Sequence, residues 1–355
     1  MKRAASTPPP MHGNEMRYNP ATGRWVIYAL SRRQRPRELI GSREGARTEP
    51  AYDELCPFCP GHEQDLPPIL LEYGRGDSHR QIRVVRNKYP ALTPEGDLKR
   101  VCQGMYMRME GYGHHEVLIE SPEHNRQIPV MTPEEVELII EAYHRRYLKL
   151  IGVQKNLLVV IFRNYGRRAG ASLMHPHSQI ISTGVVPGHV REMEYRAQGY
   201  FDQWGSCMYC DMLAEELSAG VRIIHANRSF VSFIPYAAAQ PFEIWIMPRE
   251  HKAHFGDISA EEKTDLASSL HAMLRRIQER LNDPDYNYVI HSSAKYRSDE
   301  PQAHWFLQIG PKLTTRAGFE IGSGMSINTS LPEDDAAFLM PDPLPEKGAG
   351  NASQE

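Results

Sequence analysis

The chain has 355 residues, 41% of them hydrophobic and 24% charged, with a formal net charge of −3, a pI near 6.6 and a mean hydropathy of −0.52. That length suits two globular domains, each able to bury its own core. The charge balance excludes a dedicated nucleic-acid binder, which carries a basic bias or stripe, although a single phosphate site needs only a few donors.

Residues 1–15 and 341–355 are rich in Pro, Gly, Ser and charge and are expected to be disordered tails. The start carries Lys2 and Arg3 but no apolar stretch behind them, so it does not read as a signal peptide. No apolar run approaches the roughly 20 residues of a membrane span. A cytoplasmic protein with no membrane or nucleic-acid partner is expected. Of five cysteines, Cys56, Cys59, Cys207 and Cys210 form two Cys-x-x-Cys pairs, and Cys102 reads as an ordinary buried residue.

The first half runs from Cys56-Pro57-Phe58-Cys59 to a strand-like Glu116-Val117-Leu118-Ile119 and then Ser121-Pro122-Glu123-His124. Thr132-Pro133-Glu134-Glu135 is a capping box with proline at the first helical position. The predicted helix behind it places Val136, Ile139, Ile140, Tyr143, Tyr147 and Leu150 at helical spacing. A β-rich run, Leu157 to Phe162, leads to His175-Pro176-His177-Ser178-Gln179.

The second half repeats this order. Cys207-Met208-Tyr209-Cys210 precedes the strand-like Glu243-Ile244-Trp245-Ile246 and then Pro248-Arg249-Glu250-His251. Ser259-Ala260-Glu261-Glu262 caps a helix through Leu266, Leu270, Met273, Leu274, Ile277 and Leu281. A strand at Tyr288-Val289-Ile290 leads to His304-Trp305-Phe306-Leu307-Gln308. Eight residues separate His124 from Thr132 and His251 from Ser259; 43 separate Thr132 from His175 and 45 separate Ser259 from His304. Only the step from the second Cys to the middle His differs, 65 residues against 41, so the first half carries an insertion. The chain is therefore an α+β protein built by internal duplication, each copy an antiparallel sheet with packed helices, over residues 16–190 and 191–340.

Two thiolates and two imidazoles per half make the tetrahedral set that zinc prefers: Cys56, Cys59, His124 and His175, then Cys207, Cys210, His251 and His304. With four protein ligands each, both sites are structural and closed. A thioredoxin-type redox pair and plain buried thiols are the competing readings of each Cys-x-x-Cys. His254 competes with His251 as third ligand of the second site, and the repeat alignment favours His251.

His175 and His177 stand at i and i+2, which on an extended strand projects them from one face about 6.5–7 Å apart. With His175 on zinc, His177 is held in place and remains free. A neutral imidazole whose other nitrogen is hydrogen-bonded is a competent nucleophile toward phosphorus. Attack on a nucleotide α-phosphate would give a nucleotidyl-histidine, which a second acceptor discharges. Aligning Gln179 with Gln308 puts His175 on His304 and His177 on Phe306, so the second copy has lost the nucleophile. The plain alternative is a surface or core histidine. Upstream, Asn164 to Ser172 supplies two glycines, an asparagine, a serine and two arginines suited to phosphate; a surface loop would have a similar composition.

These residues resemble the galactose-1-phosphate uridylyltransferase family, within the histidine-triad superfamily, from about residue 16 to 335. Tyr18 to Ile27, Arg32 to Pro36, Cys56 to Gly61, Val85 to Leu92, Ser121 to His124 and above all Asn164 to Gln179 carry the resemblance. It implies two tandem histidine-triad-like units with His177 as the nucleotidylated residue and Cys56, Cys59, His124 and His175 on zinc. It further implies that Asn87, Asn164, Gly170, Ser172 and Gln179 bind the nucleotide phosphates and sugar, that Arg32 and Arg35 contact the sugar phosphate, and that the protein is a homodimer sharing residues across the active site.

Two departures bear on the substrate. The family usually reads His-Pro-His-Gly-Gln where this chain has Ser178, and His-x-His-Phe followed by two prolines where this chain has Ala303-His304-Trp305-Phe306-Leu307. The complete second zinc set and Ala317 to Gly324 are more similar to the ADP-glucose phosphorylase branch, which passes an adenylyl group to phosphate. The expected function is nucleotidyl transfer by a ping-pong route. The default is UDP-glucose with a hexose 1-phosphate such as galactose 1-phosphate in galactose metabolism; ADP-glucose phosphorylase or another adenylyltransferase is the alternative. A hydrolase releasing free nucleoside monophosphate, and a non-catalytic zinc-stabilised nucleotide-binding protein, are the readings outside this class.

Overall fold

The structure, a computed structural model, describes residues 13–29, 49–74 and 81–340. In the first half, β1 (Glu15–Asn19) and β2 (Arg24–Tyr28) form a hairpin, followed by β3 (Ile69–Tyr73), β4 (Ile82–Arg86), β5 (Val101–Gln103), β6 (Tyr106–Arg108), β7 (Gly113–Ile119), α1 (Pro133–Ile151), β8 (Leu158–Tyr165) and β9 (His177–Thr183). The second contains α2 (Gly188–Trp204), α3 (Met208–Ala219), β10 (Ile223–Ala226), β11 (Phe230–Phe233), β12 (Ile244–Pro248), α4 (Ala260–Arg280), β13 (Tyr286–His291) and β14 (Phe306–Pro311). It closes with α5 (Gly318–Ser323), β15 (Ser326–Asn328) and α6 (Pro332–Leu339). β15 adds to β2 in parallel.

One ten-stranded sheet runs β10-β11-β12-β14-β13-β8-β9-β7-β4-β3. Its two halves repeat the same five-strand order, read inward from opposite edges, and they meet antiparallel at β8 and β13. Gln179 pairs with Phe162, and its counterpart Gln308 pairs with Val289. Phe162 in turn pairs with Val289 across the junction. Equivalent residues therefore face each other, as at the two-fold axis of an isologous dimer. The duplication is built as a fused pair sharing one sheet.

Both capping boxes form. Thr132 accepts from Glu135 N (3.4 Å) while Glu135 accepts from Thr132 N (2.6 Å), and Ser259 with Glu262 repeats this at 3.2 and 2.7 Å. Every apolar position predicted along α1 and α4 is buried. The two helices lie on one face of the sheet and join a core with Leu118, Ile161, Ile180, Tyr288 and Leu307 that spans both copies. Thr264 of α4 donates to Glu137 of α1 (2.9 Å). Because side chains alternate across a strand, the residues of β9 flanking this core, His177 and Gln179, are left on the opposite face.

That opposite face is treated differently in the two copies. In the second, Met193 and Ala197 of α2 and Met208, Tyr209 and Leu213 of α3 pack on Val231, Phe233, Trp245, Met247 and Phe306. In the first, the loop carrying Cys56, Phe58 and Cys59 packs on Val85, Val117 and Ile119. The insertion of the first half contains the hairpin β5–β6, which among the described residues pairs only with itself. Cys102 sits on that hairpin and is exposed, which corrects the expectation of burial. A two-stranded ribbon outside the main sheet has no core in which to hide a thiol.

Candidate functional site

The first metal-type cluster forms at the end of β9. Cys56, Cys59, His124 and His175 are all buried, and their ligand atoms lie within 4.8 Å of one another. Cys59 Sγ is 3.6 Å from Nδ1 of both His124 and His175, and Cys56 Sγ is 3.7 Å from His175 Nδ1. A zinc ion with bonds of about 2.3 Å to sulfur and about 2.05 Å to nitrogen would set tetrahedral S···N edges of roughly 3.6 Å, so the donor set fits the ion. His175 Nε2–H donates to the Ser121 carbonyl (2.8 Å), which leaves Nδ1 as the metal-facing nitrogen. Arg83, itself buried, clamps the cysteine loop by donating to Phe58 O (2.7 Å) and Glu63 (3.0 Å).

His175 precedes the strand, in a bend, and β9 begins at His177. The relation of the two rings is therefore set by the bend rather than by strand alternation, and both lie against Phe58, at 5.8 and 5.5 Å. His177 Nδ1 is 2.8 Å from the carbonyl of His175. A carbonyl only accepts, so Nδ1 carries the hydrogen and Nε2 carries the lone pair. Burial lowers the His177 pKa below the ordinary imidazole value, against the raising effects of the His175 carbonyl and Glu120. The ring is thus neutral, of defined tautomer and nucleophilic at Nε2.

A buried network that sequence reading missed holds this bend from beneath. Arg163 pairs with Glu120 at 2.9 Å, both side chains being fully enclosed. Arg163 also donates to Gln127 Oε1 (2.6 Å), and Gln127 Nε2 donates to the Met174 carbonyl (2.9 Å), just ahead of His175. No local pattern marks Glu120, Gln127 and Arg163, because they meet only through the sheet.

Asn87 and Gln179 converge on His115, another residue the sequence did not single out. Ala91 N–H donates to His115 Nδ1 (3.1 Å), so Nε2 holds the hydrogen and donates to Gln179 Oε1 (2.7 Å). Asn87 Nδ2 lies 3.1 Å from the same nitrogen. That bond engages the carbonyl end of the Gln179 amide. Asn164, directly beyond Phe162 on β8, is treated alike: its Oδ1 accepts from Asn287 (2.8 Å).

The loop from Asn164 to Ser172 is a tight turn. Gly166 has φ 82°, and a Cβ there would stand 2.3 Å from the Asp285 carboxylate carbon. Gly170 takes the left-handed conformation at φ 90°, with a built Cβ 3.7 Å from Asn164 Nδ2. Arg167, Arg168, Gly170 and Ser172 are exposed along it. Arg32 and Arg35 lie outside the described residues.

At the second cluster Cys207, Cys210 and His251 come together within 4.8 Å, with Cys210 Sγ 3.4 Å from His251 Nδ1. Here the thiols flank the start of α3 rather than a free knuckle. His304 stands beside them, its ring 5.4 Å from that of His251, and its buried Nε2 has no hydrogen-bond partner among the described residues. That orphaned nitrogen beside two thiols fits a fourth ligand. His254 is used elsewhere, stacked on Tyr147 and accepting from Gly256 N. At the nucleophile position Phe306 is sandwiched between Trp245 (4.2 Å) and His291 (4.6 Å). A cavity of about 280 Å³ opens beside it, lined among others by His189, Met193, Val289 and His291. Ser178 pairs with Leu118 and is fully buried toward the helices, so the departure from glycine does not face the cleft.

Comparison with known proteins adds the following. Residues 8–187 match the model for galactose-1-phosphate uridyl transferase, N-terminal domain, and residues 192–319 that for its C-terminal domain. ADP-glucose phosphorylase of Arabidopsis thaliana is 37% identical over 330 residues, 92% of each chain. Galactose-1-phosphate uridylyltransferase of Haemophilus influenzae is 27% identical over 292 residues, 82% of this chain and 81% of that protein. The crystal structure of an Arabidopsis thaliana ADP-glucose phosphorylase with bound ADP-glucose matches with a TM-score of 0.77 at 34% identity, covering 94% of this chain and 100% of that one.

Proposed function

Because the chain belongs to the galactose-1-phosphate uridyl transferase family of nucleotidyltransferases, we propose that His177 carries a nucleotidyl group between two substrates, with ADP-glucose as donor and inorganic phosphate as acceptor. His177 Nε2 attacks the α-phosphorus of ADP-glucose, and the bond to the bridging oxygen breaks to release glucose 1-phosphate. Phosphate then attacks the adenylyl-histidine, restoring the neutral ring and releasing ADP. The observation that carries this reading is the Nδ1–H held on the His175 carbonyl at 2.8 Å, which leaves Nε2 as the free nucleophilic atom. The donor rests on greater likeness to the ADP-glucose phosphorylase than to the Haemophilus uridylyltransferase, 37% against 27%.

In this reading Asn164 and Gln179 present NH2 groups to the phosphate oxygens, where charge builds in the transition state, and the turn at Gly170 and Ser172 lines the same cleft. Asn87 serves the nucleotide, and Arg32 and Arg35 the sugar phosphate. Zinc held by Cys56, Cys59, His124 and His175, and a second ion held by Cys207, Cys210, His251 and His304, would supply structure and hold the bend ahead of His177. The protein works as a cytoplasmic homodimer, a compartment in which four ligand thiols stay reduced.

The test is intact-protein mass spectrometry after brief incubation with ADP-glucose or UDP-glucose. Wild type gains one adenylyl group, His177→Ala gains none, and phosphate discharges the adduct. Labelling that persists in His177→Ala would overturn the mechanism. A uridylyl adduct alone would favour the second reading, transfer from UDP-glucose to galactose 1-phosphate, which the Haemophilus relative supports. A non-catalytic nucleotide binder is disfavoured because His177 is kept where the duplicate position holds Phe306.

A further inference from the structure

We propose that Asn287, on the copy that lost its nucleophile, is a positioning residue for nucleotidyl transfer in the other copy. The inference rests on His177 as the nucleophile and assigns the degenerate half a part in the reaction.

Asn287 of β13 pairs directly with Asn164 of β8 across the junction of the two copies. Its Nδ2 donates both to the Ala169 carbonyl and to Asn164 Oδ1, each at 2.8 Å. A backbone carbonyl can only accept, so Ala169 dictates which end of the Asn287 amide faces the loop. The second N–H of that amide then fixes the Asn164 amide in turn, with its oxygen tied to Asn287 and its NH2 turned away. Asn164 is left as a donor beside Gly170, where a phosphate oxygen needs donors and an amide oxygen would repel it.

The same stretch of chain grips the loop at two further points. Tyr165 donates to Asp283 (2.8 Å), and Arg168 N donates to Asp285 Oδ2 (2.6 Å). Asp283 and Asp285 lie in the turn that leads into β13 and Asn287 lies on the strand itself, so one short segment meets Tyr165, Arg168, Ala169 and Asn164. The contacts at Asp283 and Asp285 hold the Tyr165 hydroxyl and the Arg168 backbone N–H. The contact at Asn287 alone sets the polarity of a side chain facing the cleft.

The experiment measures the rate of His177 labelling by ADP-glucose, and steady-state kcat and KM with phosphate as acceptor, in wild type, Asn287→Ala, Asn287→Asp, Asn287→Ser, Asn164→Ala and the Asn164→Ala/Asn287→Ala double variant. Zinc content and thermal midpoint are measured on each. Asn287→Ala lowers kcat about ten-fold with a smaller change in KM, as an unfixed amide still reaches the productive pose part of the time. Asn287→Asp costs more, about 100-fold, because a carboxylate repels Ala169 O and turns the Asn164 oxygen toward the phosphate. Asn287→Ser, which keeps one donor, recovers part of the rate and serves if the alanine variant folds poorly. The double variant is no slower than Asn164→Ala alone, since Asn287 acts only through it. Wild-type labelling in Asn287→Ala, or losses that multiply in the double variant, would overturn the positioning role while leaving His177 standing. No adduct on wild type from either donor would remove the nucleophile, and the positioning role with it.

Discussion

The chemistry of the site depends on hydrogen bonds that can be made in only one direction. His177 is fixed by a carbonyl, His115 by the Ala91 N–H, and Asn287 by the Ala169 carbonyl, so the polarity of each of these three groups is set by a backbone atom. Beneath the bend lies the enclosed pair of Arg163 and Glu120. Replacing Glu120 by Ala leaves a buried guanidinium without its counter-ion, and unfolding free energy falls by about 3–5 kcal/mol. Denaturant titration checks this. A loss below about 1 kcal/mol would mean that Tyr286 and Gln127 satisfy Arg163 by themselves.

Among the elements, the bend before β9 bears the most constraint. It is held by His175 in the cysteine-histidine cluster, by Gln127 on the Met174 carbonyl, and by Glu120 N on the Pro176 carbonyl at 3.0 Å. The cluster joins segments far apart in the chain, so a metal bound there would add its binding energy to the folding energy of the first copy. Cys59→Ser removes the thiol that touches both histidines. Its expected outcome is the loss of one tightly held zinc per chain and a fall in melting midpoint of ~10 °C. Metal analysis by mass spectrometry together with calorimetry decides it, and an unchanged zinc count with an unchanged midpoint would reject a metal at this cluster. The second site, on the start of α3, should retain its ion in that variant.

For the whole molecule, the fused sheet gives the second copy a structural part in the first: β13 is the strand against which β8 and its loop are built. On the face where the first copy carries His177, the second copy packs α2, α3 and the stack of Trp245, Phe306 and His291 around a cavity of about 280 Å³. The hairpin β5–β6 stands apart from both copies, with Met105 89% and Tyr106 75% exposed. Side chains of that kind in a self-paired ribbon match a subunit contact. Light scattering is expected to give about twice the 40.5 kDa chain mass, falling to the chain mass in a Met105→Asp/Tyr106→Asp variant. A wild-type protein at the chain mass would exclude the dimer.

The duplication, both capping boxes, the apolar faces of α1 and α4, and the residues of the first cluster could all be read from sequence. Each is written either in local periodicity or in a spacing that repeats, and neither needs a third dimension. Phe306 opposite His177 followed from the same alignment. The repeat alignment already favours His251 over His254, and His251 is the one beside the thiols. Tertiary structure alone decided the exposure of Cys102 and the bend that separates His175 from the strand. It also supplied His115, Glu120, Gln127, Arg163, Asp285 and Asn287, which support the site from other strands. Their partners lie 36 to 123 residues away along the chain in the contacts Arg163–Gln127 and Asn287–Asn164, and pairing at that range is set by strand register, which the order of residues alone does not display.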